Sequence, residues 1–113
     1  MSKFDDALDS YKAIMTEAGF AFDETLLTSV TKGLGPSIYN RDAAYVAGTD
    51  PEELTRVKNN YLVGKLGLED SADLDAAIAT VMQSLIDAGV KARPRAVVYY
   101  LLCKHFGKES IYA

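Results

Sequence analysis

Periodic apolar residues, repeatedly ended by glycine, are the feature that most constrains the fold of this chain. Phe4, Leu8, Tyr11 and Met15 recur three or four residues apart, which is the spacing of one face of an α-helix. The spacing returns in four later stretches, and a glycine follows each of them, as expected where a helix ends. The pattern predicts helices over residues 2–18, 23–32, 50–66, 71–88 and 94–106.

Capping residues indicate where two of these helices begin. Asp23 stands before the second helix as an N-cap. Asp50 precedes the third helix, with Pro51 at the first helical position. Glu53 lies three residues after Asp50, and we expect its carboxylate to close a capping box with the backbone of that residue. A single further helical turn is predicted within residues 42–47.

The last helix is apolar nearly all round, which is typical of a central helix or of one at an interface. Its β-branched pair, Val97 and Val98, would also suit a buried strand. No other segment could pair with such a strand, so the helix is favoured. The chain of 113 residues is long enough for one hydrophobic core. We therefore predict an all-α fold, a single domain of about five helices with short connections over residues 1–113.

Composition and charge restrict the compartment and the partners. The single cysteine, Cys103, excludes an internal disulfide and fits a reducing compartment. The acidic beginning of the sequence lacks the apolar run of a signal peptide, and the longest apolar run, residues 96–103, is too short to span a bilayer. These features predict a cytoplasmic protein without membrane contact. The net charge of −4 argues against nucleic-acid binding, which requires concentrated positive charge.

The residues that carry most catalysis and metal binding are few and poorly placed. Cys103 and His105 are two residues apart, so on a helix they point in very different directions. The acids of residues 69–75 suit the N-terminus of a helix better than a calcium loop. The glycines of residues 32–37 follow a helix, whereas phosphate-binding loops follow a strand. We predict no catalytic residue, no cofactor and no metal, which favours a protein without enzymatic activity.

A basic stretch beside the last helix is the candidate anion site. Arg93 and Arg95 flank the start of that helix, where free backbone N–H groups also favour anions, and Lys104 lies further along it. These three residues could hold a phosphate or a carboxylate near the loop of residues 33–40, with Asn40, Asn59 or Asn60 supplying polar specificity. The alternative, which stays open, is a solvated connection that pairs with the acidic first half of the chain.

Tyrosine is abundant, with seven residues and no tryptophan. The tripeptide Ser-Ile-Tyr occurs twice, each time after a helix end and a glycine reversal. Packing of Ile and Tyr over the helix end explains both copies, and an ancient duplication or a pair of similar binding loops are the alternatives. Because Tyr99 and Tyr100 are adjacent, we expect only one of them to face the core. The predicted interaction surface comprises Ser37, Ile38, Tyr39, Tyr99, Ile111 and Tyr112.

Three stretches resemble a bacterial family known only as domain of unknown function 2853. They are LTSVTKGLGPSIYN at residues 27–40, VKNNYLVGKLGL at residues 57–68 and RAVVYYLLCKHFGKESIY at residues 95–112. The likeness covers nearly all of the chain beyond residue 25, and the first 20 residues match only loosely. It implies a standalone cytoplasmic protein of bacteria. It implies no activity and no functional residues.

These observations favour a non-enzymatic helical interaction module that forms a homodimer or binds another protein. The alternative is a small-molecule or anion-binding protein that uses the basic residues between positions 91 and 104. An enzyme ranks third, and a nucleic-acid-binding protein ranks last.

Overall fold

The apolar periodicity folds into helices, as predicted. The computed structural model describes residues 3–40, 44–46, 50–90 and 93–112. The described residues contain no β-strand, and the all-α prediction is confirmed. Their α-helices are α1 (Lys3–Glu17), α2 (Glu24–Leu34), α3 (Pro51–Val57), α4 (Ala72–Asp87) and α5 (Arg95–Phe106). The single turn predicted within residues 42–47 falls largely outside the described residues.

Both predicted aspartate caps form. Asp23 accepts hydrogen bonds from the backbone N–H groups of Thr25, at 2.9 Å, and Leu26, at 3.3 Å. Asp50 accepts one from the N–H of Glu52 at 3.0 Å. The capping box predicted for Glu53 is wrong, because both of its carboxylate oxygens accept hydrogen bonds from arginines instead. The sequence spacing alone could not reveal this competition.

Helix α3 continues without a break into a π-helix over Lys58–Val63. The wider turn is visible in the bonds from Gly64 N to Asn59 O, at 3.0 Å, and from Leu66 N to Tyr61 O, at 2.8 Å, each of which spans five residues. Such π-turns are rare and occur frequently at functional sites. Here the extra residue per turn changes which side chains of residues 58–66 face the core.

Helix α5 is the central helix, as predicted, and it packs against α1, α2 and α4. Seven of its twelve residues are buried. Along its first two turns, residues 95–101, every side chain is buried or half-buried. Its helical conformation settles the choice between helix and strand at this segment. The buried residues are Ala96, Val97, Val98, Tyr99, Tyr100, Leu102 and Cys103. They join apolar side chains from all four other α-helices in one core.

Each Ser-Ile-Tyr tripeptide ends a short 3₁₀ helix, the first over Gly35–Tyr39 and the second over Glu109–Tyr112. A glycine with positive φ precedes each tripeptide, Gly35 at 62° and Gly107 at 65°. This backbone region favours glycine, which is why the helix can reverse at these two positions. The second 3₁₀ helix packs back against α2.

Within the described ranges the one pairing of extended backbone is an isolated antiparallel bridge between Tyr45 and Pro94. The N–H of Val46 donates to the carbonyl of Arg93 at 2.9 Å, which ties residues 44–46 to the start of α5. No helix in the part of the chain that the structure describes is long and apolar enough to cross a membrane.

Candidate functional site

A pocket of about 180 Å³ opens where α2, the π-helix and the second 3₁₀ helix meet beside α5. Three tyrosines contribute to its wall, together with a lysine, an asparagine and apolar residues of α2. We call it the tyrosine pocket. It is lined by Val30, Gly33, Leu34, Asn60, Tyr61, Lys65, Tyr99 and Tyr112.

The π-helix places two of these residues. The side chain of Tyr61 is buried, with 3% of its surface exposed, whereas the adjacent Asn60 is exposed and lines the same pocket. Gly64 follows, and a Cβ atom there would lie 2.8 Å from the carbonyl oxygen of Asn60. Backbone atoms cannot approach a Cβ so closely without moving. Because Gly64 has no side chain, the backbone can pass this close to the carbonyl of Asn60 between Tyr61 and Lys65.

Two of the tyrosines that line the pocket pack their rings against each other. The rings of Tyr61 and Tyr99 are stacked, with centroids 3.8 Å apart and planes 16° from parallel. Both side chains are buried. Stacking of this kind adds about 0.5–1.5 kcal/mol beyond the burial of the two rings. It holds the two rings in a fixed arrangement at the pocket.

The three tyrosines are joined by an ordered chain of hydrogen bonds. Tyr61 Oη donates to the carbonyl oxygen of Tyr99 at 3.1 Å, and it lies 2.9 Å from Tyr112 Oη. A phenol has one proton to donate. Because Tyr61 uses its one hydroxyl proton in the hydrogen bond to the carbonyl, the hydroxyl of Tyr112 is the donor in the second bond. Burial raises the pKa of both Tyr61 and Tyr112, so the two phenols stay neutral at physiological pH.

Lys65 supplies the positive charge at the pocket. Its ammonium lies 5.4 Å from the centre of the Tyr112 ring, within the range of a cation–π contact. The side chain is exposed. In the described part of the chain, Lys65 takes part in none of the ion pairs. The pocket thus combines apolar rings with a cation that has no carboxylate partner among those residues.

A partly buried ion-pair cluster contacts Tyr99 through Arg95. Arg95 donates to Glu53 Oε1 and, at 3.2 Å, to the hydroxyl of Tyr99. Arg56 donates to Glu53 Oε2 at 2.8 and 3.1 Å. Burial raises the pKa of Glu53, but the hydrogen bonds from the two arginines outweigh it and lower the pKa below its usual value. Glu53 is therefore an anion at neutral pH, and the cluster holds the Tyr99 hydroxyl through the hydrogen bond from Arg95.

The three residues of the predicted anion site do not form one cluster. Arg95 and Lys104 are nine residues apart on α5, which puts them about 13.5 Å apart along the axis and on opposite sides of the helix. Arg95 is engaged by Glu53, and Lys104 lies 3.7 Å from Glu109. Arg93 is half-buried before α5. One small anion therefore cannot contact all three residues, and the role predicted for them stays untested.

The residues of the predicted interaction surface are divided between core and surface. Tyr39 and Ile111 are 48% and 37% exposed. Ser37 is half-buried, and its hydroxyl donates to the carbonyl of Leu34 at 2.8 Å. Tyr112 is half-buried in the tyrosine pocket.

Ile38 and Tyr99, which the sequence analysis places on the same surface, are both only 8% exposed. Tyr99 and Tyr100 are both buried because they enter different parts of the core. Tyr99 stacks on Tyr61, and the Tyr100 hydroxyl accepts a hydrogen bond from the N–H of Asp23 at 2.7 Å. The expectation that only one of these adjacent tyrosines faces the core does not hold, because α5 is surrounded by partners.

Cys103 is fully buried, as expected for a core cysteine. Burial raises the pKa of its thiol, so the protonated, weakly nucleophilic form is retained. His105 is exposed, and its ring packs edge-on against Phe106. Among the described residues no group of three or more His, Cys, Asp and Glu is placed to hold a metal ion.

Sequence reasoning missed Lys65 as a site residue, and it assigned Glu53 a different role. One signal was present for Lys65, because it follows the inward-facing Tyr61 by four residues and so lies on the same side of a helix. Asn60 was one of the three asparagines considered for polar specificity, but the structure places it beside Lys65 at the tyrosine pocket rather than with the basic residues of α5. Glu53 and Arg95 are 42 residues apart, and only the folded chain brings them together.

The chain matches a known protein family. A family model described as "Protein of unknown function (DUF2853)" matches residues 10–110. This region includes nearly every residue that lines the tyrosine pocket, Tyr112 being the exception. No curated protein matches the chain.

Proposed function

The chain belongs to the DUF2853 family of proteins of unknown function, and from that premise we propose that it is a non-enzymatic binding protein whose tyrosine pocket takes a small carboxylate ligand. The observation that carries the proposal is the convergence of stacked rings, an exposed amide and an ion-pair-free lysine on one cavity. Ligand pockets typically have this composition, mostly apolar with a few polar groups that fix orientation.

The size of the pocket indicates the size of the ligand. A cavity of roughly 150 Å³ accommodates benzene, so one of about 180 Å³ suits a ligand near the size of benzoate. The aromatic rings in the lining favour a ligand with a planar ring, which can stack on them or contact their edges. Lys65 favours a carboxylate at the mouth, because it carries a positive charge that no acid of the described residues neutralises.

The test is a titration with benzoate and with its neutral isostere benzamide, followed by calorimetry or NMR. We expect benzoate to bind and benzamide to bind about tenfold more weakly, since a hydrogen bond to a charged group is worth roughly 1.5–3 kcal/mol. Lys65→Met should remove that preference. Lys3→Met is the matched control, because Lys3 is exposed on α1, which contributes nothing to the pocket. Equal benzoate affinity in Lys65→Met and in the wild type would contradict the proposal.

A second candidate function is the interaction module predicted from the sequence, in the form of a homodimer or a complex with another protein. The observation that favours it is the exposure of Tyr39 and Tyr45, at 48% and 47%. Burial is the main cause of the raised pKa of Tyr11, and the nearby Tyr45 and Tyr39 raise it further. Tyrosine is frequent at the centres of interfaces.

Sedimentation equilibrium tests this second function. A dimer that dissociates in the double variant Tyr39→Ser, Tyr45→Ser, but persists in Ile86→Ser, would support it, because Ile86 is equally exposed on α4. A strict monomer that captures no partner from a lysate would contradict it.

We also propose that the protein acts in the bacterial cytoplasm. The unpaired cysteine supports a reducing compartment, where thiols are not oxidised to disulfides. Fractionation of cells that express the tagged full chain tests this, and recovery in the periplasm would contradict it.

A further inference from the structure

Of the glycines in the described residues, Gly33 is the one that neither backbone conformation nor close packing requires. A Cβ atom at Gly64 would lie 2.8 Å from a backbone oxygen. The φ of Gly33 is not positive, and the nearest atom that a Cβ there would meet beyond its own helix is Tyr112 Cε1, at an ordinary contact distance of 3.6 Å. The remaining glycines have a positive φ, which disfavours a side chain; they are Gly19, Gly35, Gly67, Gly89 and Gly107.

A glycine at this position is a cost to the stability of the helix. Gly33 is the second-to-last residue of α2, and glycine loses more conformational freedom in a helix than alanine does. Its backbone is exposed and lines the tyrosine pocket. Alanine would fit the fold and favour the helix, so the lack of a methyl group at Gly33 indicates a role in the pocket rather than in folding.

The gap beside Gly33 has the width of one carbon atom. A carbon at the position of a Cβ would contact the Tyr112 ring at 3.6 Å, which is within the optimal range for two carbon atoms. Val30 and Leu34, the other residues that α2 contributes to the pocket, are both apolar. A polar group placed between such surfaces would lose hydration without a hydrogen-bond partner. The gap therefore suits a small apolar group of a ligand.

We propose that the ligand of the tyrosine pocket is an aromatic carboxylate that bears a methyl group, and that this methyl group occupies the gap between Gly33 and the Tyr112 ring. Gly33 is then the residue that determines which carboxylates the pocket prefers. This inference rests on the proposed function, because it names the class of ligand for the same pocket. It adds the apolar substituent of the ligand, while Lys65 remains the partner of the carboxylate.

The experiment compares benzoate with 2-, 3- and 4-methylbenzoate by calorimetry. We expect at least one of the three isomers to bind the wild type about fourfold more tightly than benzoate does, which is the gain from burial of one methyl group. Gly33→Ala should remove this preference, because its own Cβ fills the gap, and should change the affinity for benzoate by less than about twofold. Thr16→Ala is the matched control that should keep the preference. Thr16 is exposed and is the second-to-last residue of α1, which contributes nothing to the pocket.

Thermal unfolding without a ligand separates this role of Gly33 from a structural one. Gly33→Ala should raise Tm by about 2–4 °C, since alanine restricts the unfolded chain and favours the helix. A fall in Tm would show that the fold requires glycine here and would overturn the inference. Benzoate binding without a preference for any methylated isomer, or a preference that survives in Gly33→Ala, would overturn it and leave the proposed function intact. Failure of all four compounds to bind would overturn both.

Discussion

The two Ser-Ile-Tyr segments have the same three residues in the same kind of 3₁₀ helix, yet their side chains face opposite ways. In the first segment Ile38 is buried and Tyr39 is 48% exposed. In the second segment Ile111 is 37% exposed and Tyr112 lies in the tyrosine pocket. The tripeptide itself therefore does not determine whether its tyrosine belongs to a surface or to a site.

Spacing from the preceding glycine accounts for the difference. One residue, Pro36, separates Gly35 from the first tripeptide, and two residues separate Gly107 from the second. A 3₁₀ helix has three residues per turn, so one additional residue rotates the tripeptide by about 120°. The glycines also direct the chain differently, with ψ of −147° at Gly35 and 34° at Gly107. Register and exit direction together decide which side chain faces inward.

The largest expected contrast is between the two isoleucines. Ile38→Ala should lower the free energy of unfolding by about 2–4 kcal/mol, because it leaves a cavity at a buried site. Ile111→Ala should cost less than about 0.5 kcal/mol, as is usual at an exposed position. Urea denaturation of both variants measures the contrast. Equal losses would show that the two segments are not inverted.

A change of register should convert the second segment into the first. Deletion of Glu109 makes the spacing from Gly107 to the tripeptide equal to that from Gly35, so Tyr112 should turn outward and leave the pocket. We expect a loss of about 1–2 kcal/mol in stability from the exposed ring. Glu109→Ala is the control, since it keeps the register. Tyrosine-ring NMR that finds Tyr112 still close to Tyr61 in the deletion variant would contradict the spacing argument.

The hydroxyl groups of Tyr112 and Tyr39 should contribute different amounts to the free energy of unfolding. Tyr112→Phe removes the donor to Tyr61, and we expect a loss of about 1 kcal/mol. Tyr39→Phe should change stability by less than about 0.5 kcal/mol, because Tyr39 is nearly half exposed. Thermal unfolding distinguishes these outcomes, and a larger loss in Tyr39→Phe would reverse the comparison.

The smallest effect concerns alkaline pH. Burial raises the pKa of Tyr61 and Tyr112 above the ordinary value near 10. The unfolded chain thus loses these protons first, so this contribution to stability is complete below about pH 10 and declines as pH rises toward the folded-state pKa. Tyr112→Phe should show a shallower decline between about pH 10 and 11 than the wild type. If stability declined equally with pH in the two proteins, the result would contradict the placement of the half-buried Tyr112 ring in the pocket.

The sequence predicts the helices of this fold well, because their signals are local. The stripe of Leu74, Ile78, Val81 and Leu85 is buried along α4 as its spacing indicates, and Asp23 caps α2. The sequence pattern could not predict contacts between segments that are far apart in the chain, or features that change when a helix shifts by one residue. The π-turn that positions Tyr61 has no composition signal.

The site shows the same division between local and distant causes. Tyr99 and Tyr112 were recognised as candidates for an interaction surface, Tyr99 because it adjoins Tyr100 and Tyr112 because it follows a helix end. Their contacts with Tyr61 join segments 38 and 51 residues apart. Glu53 was interpreted by its local spacing from Asp50. Of its two arginine partners, Arg56 lies three residues along the same helix, but Arg95 comes from α5, and only the folded chain brings it to Glu53.

The central claim is that the second Ser-Ile-Tyr segment completes a binding pocket and the first does not. The most direct test is a benzoate titration of the wild-type protein with ¹³C-labelled tyrosine rings, which resolves all seven tyrosines. We predict that the signals of Tyr61, Tyr99 and Tyr112 shift together with one dissociation constant, while that of Tyr39 stays unchanged. Shifts at Tyr39 in place of those three, or no saturable shift at any tyrosine, would contradict the claim.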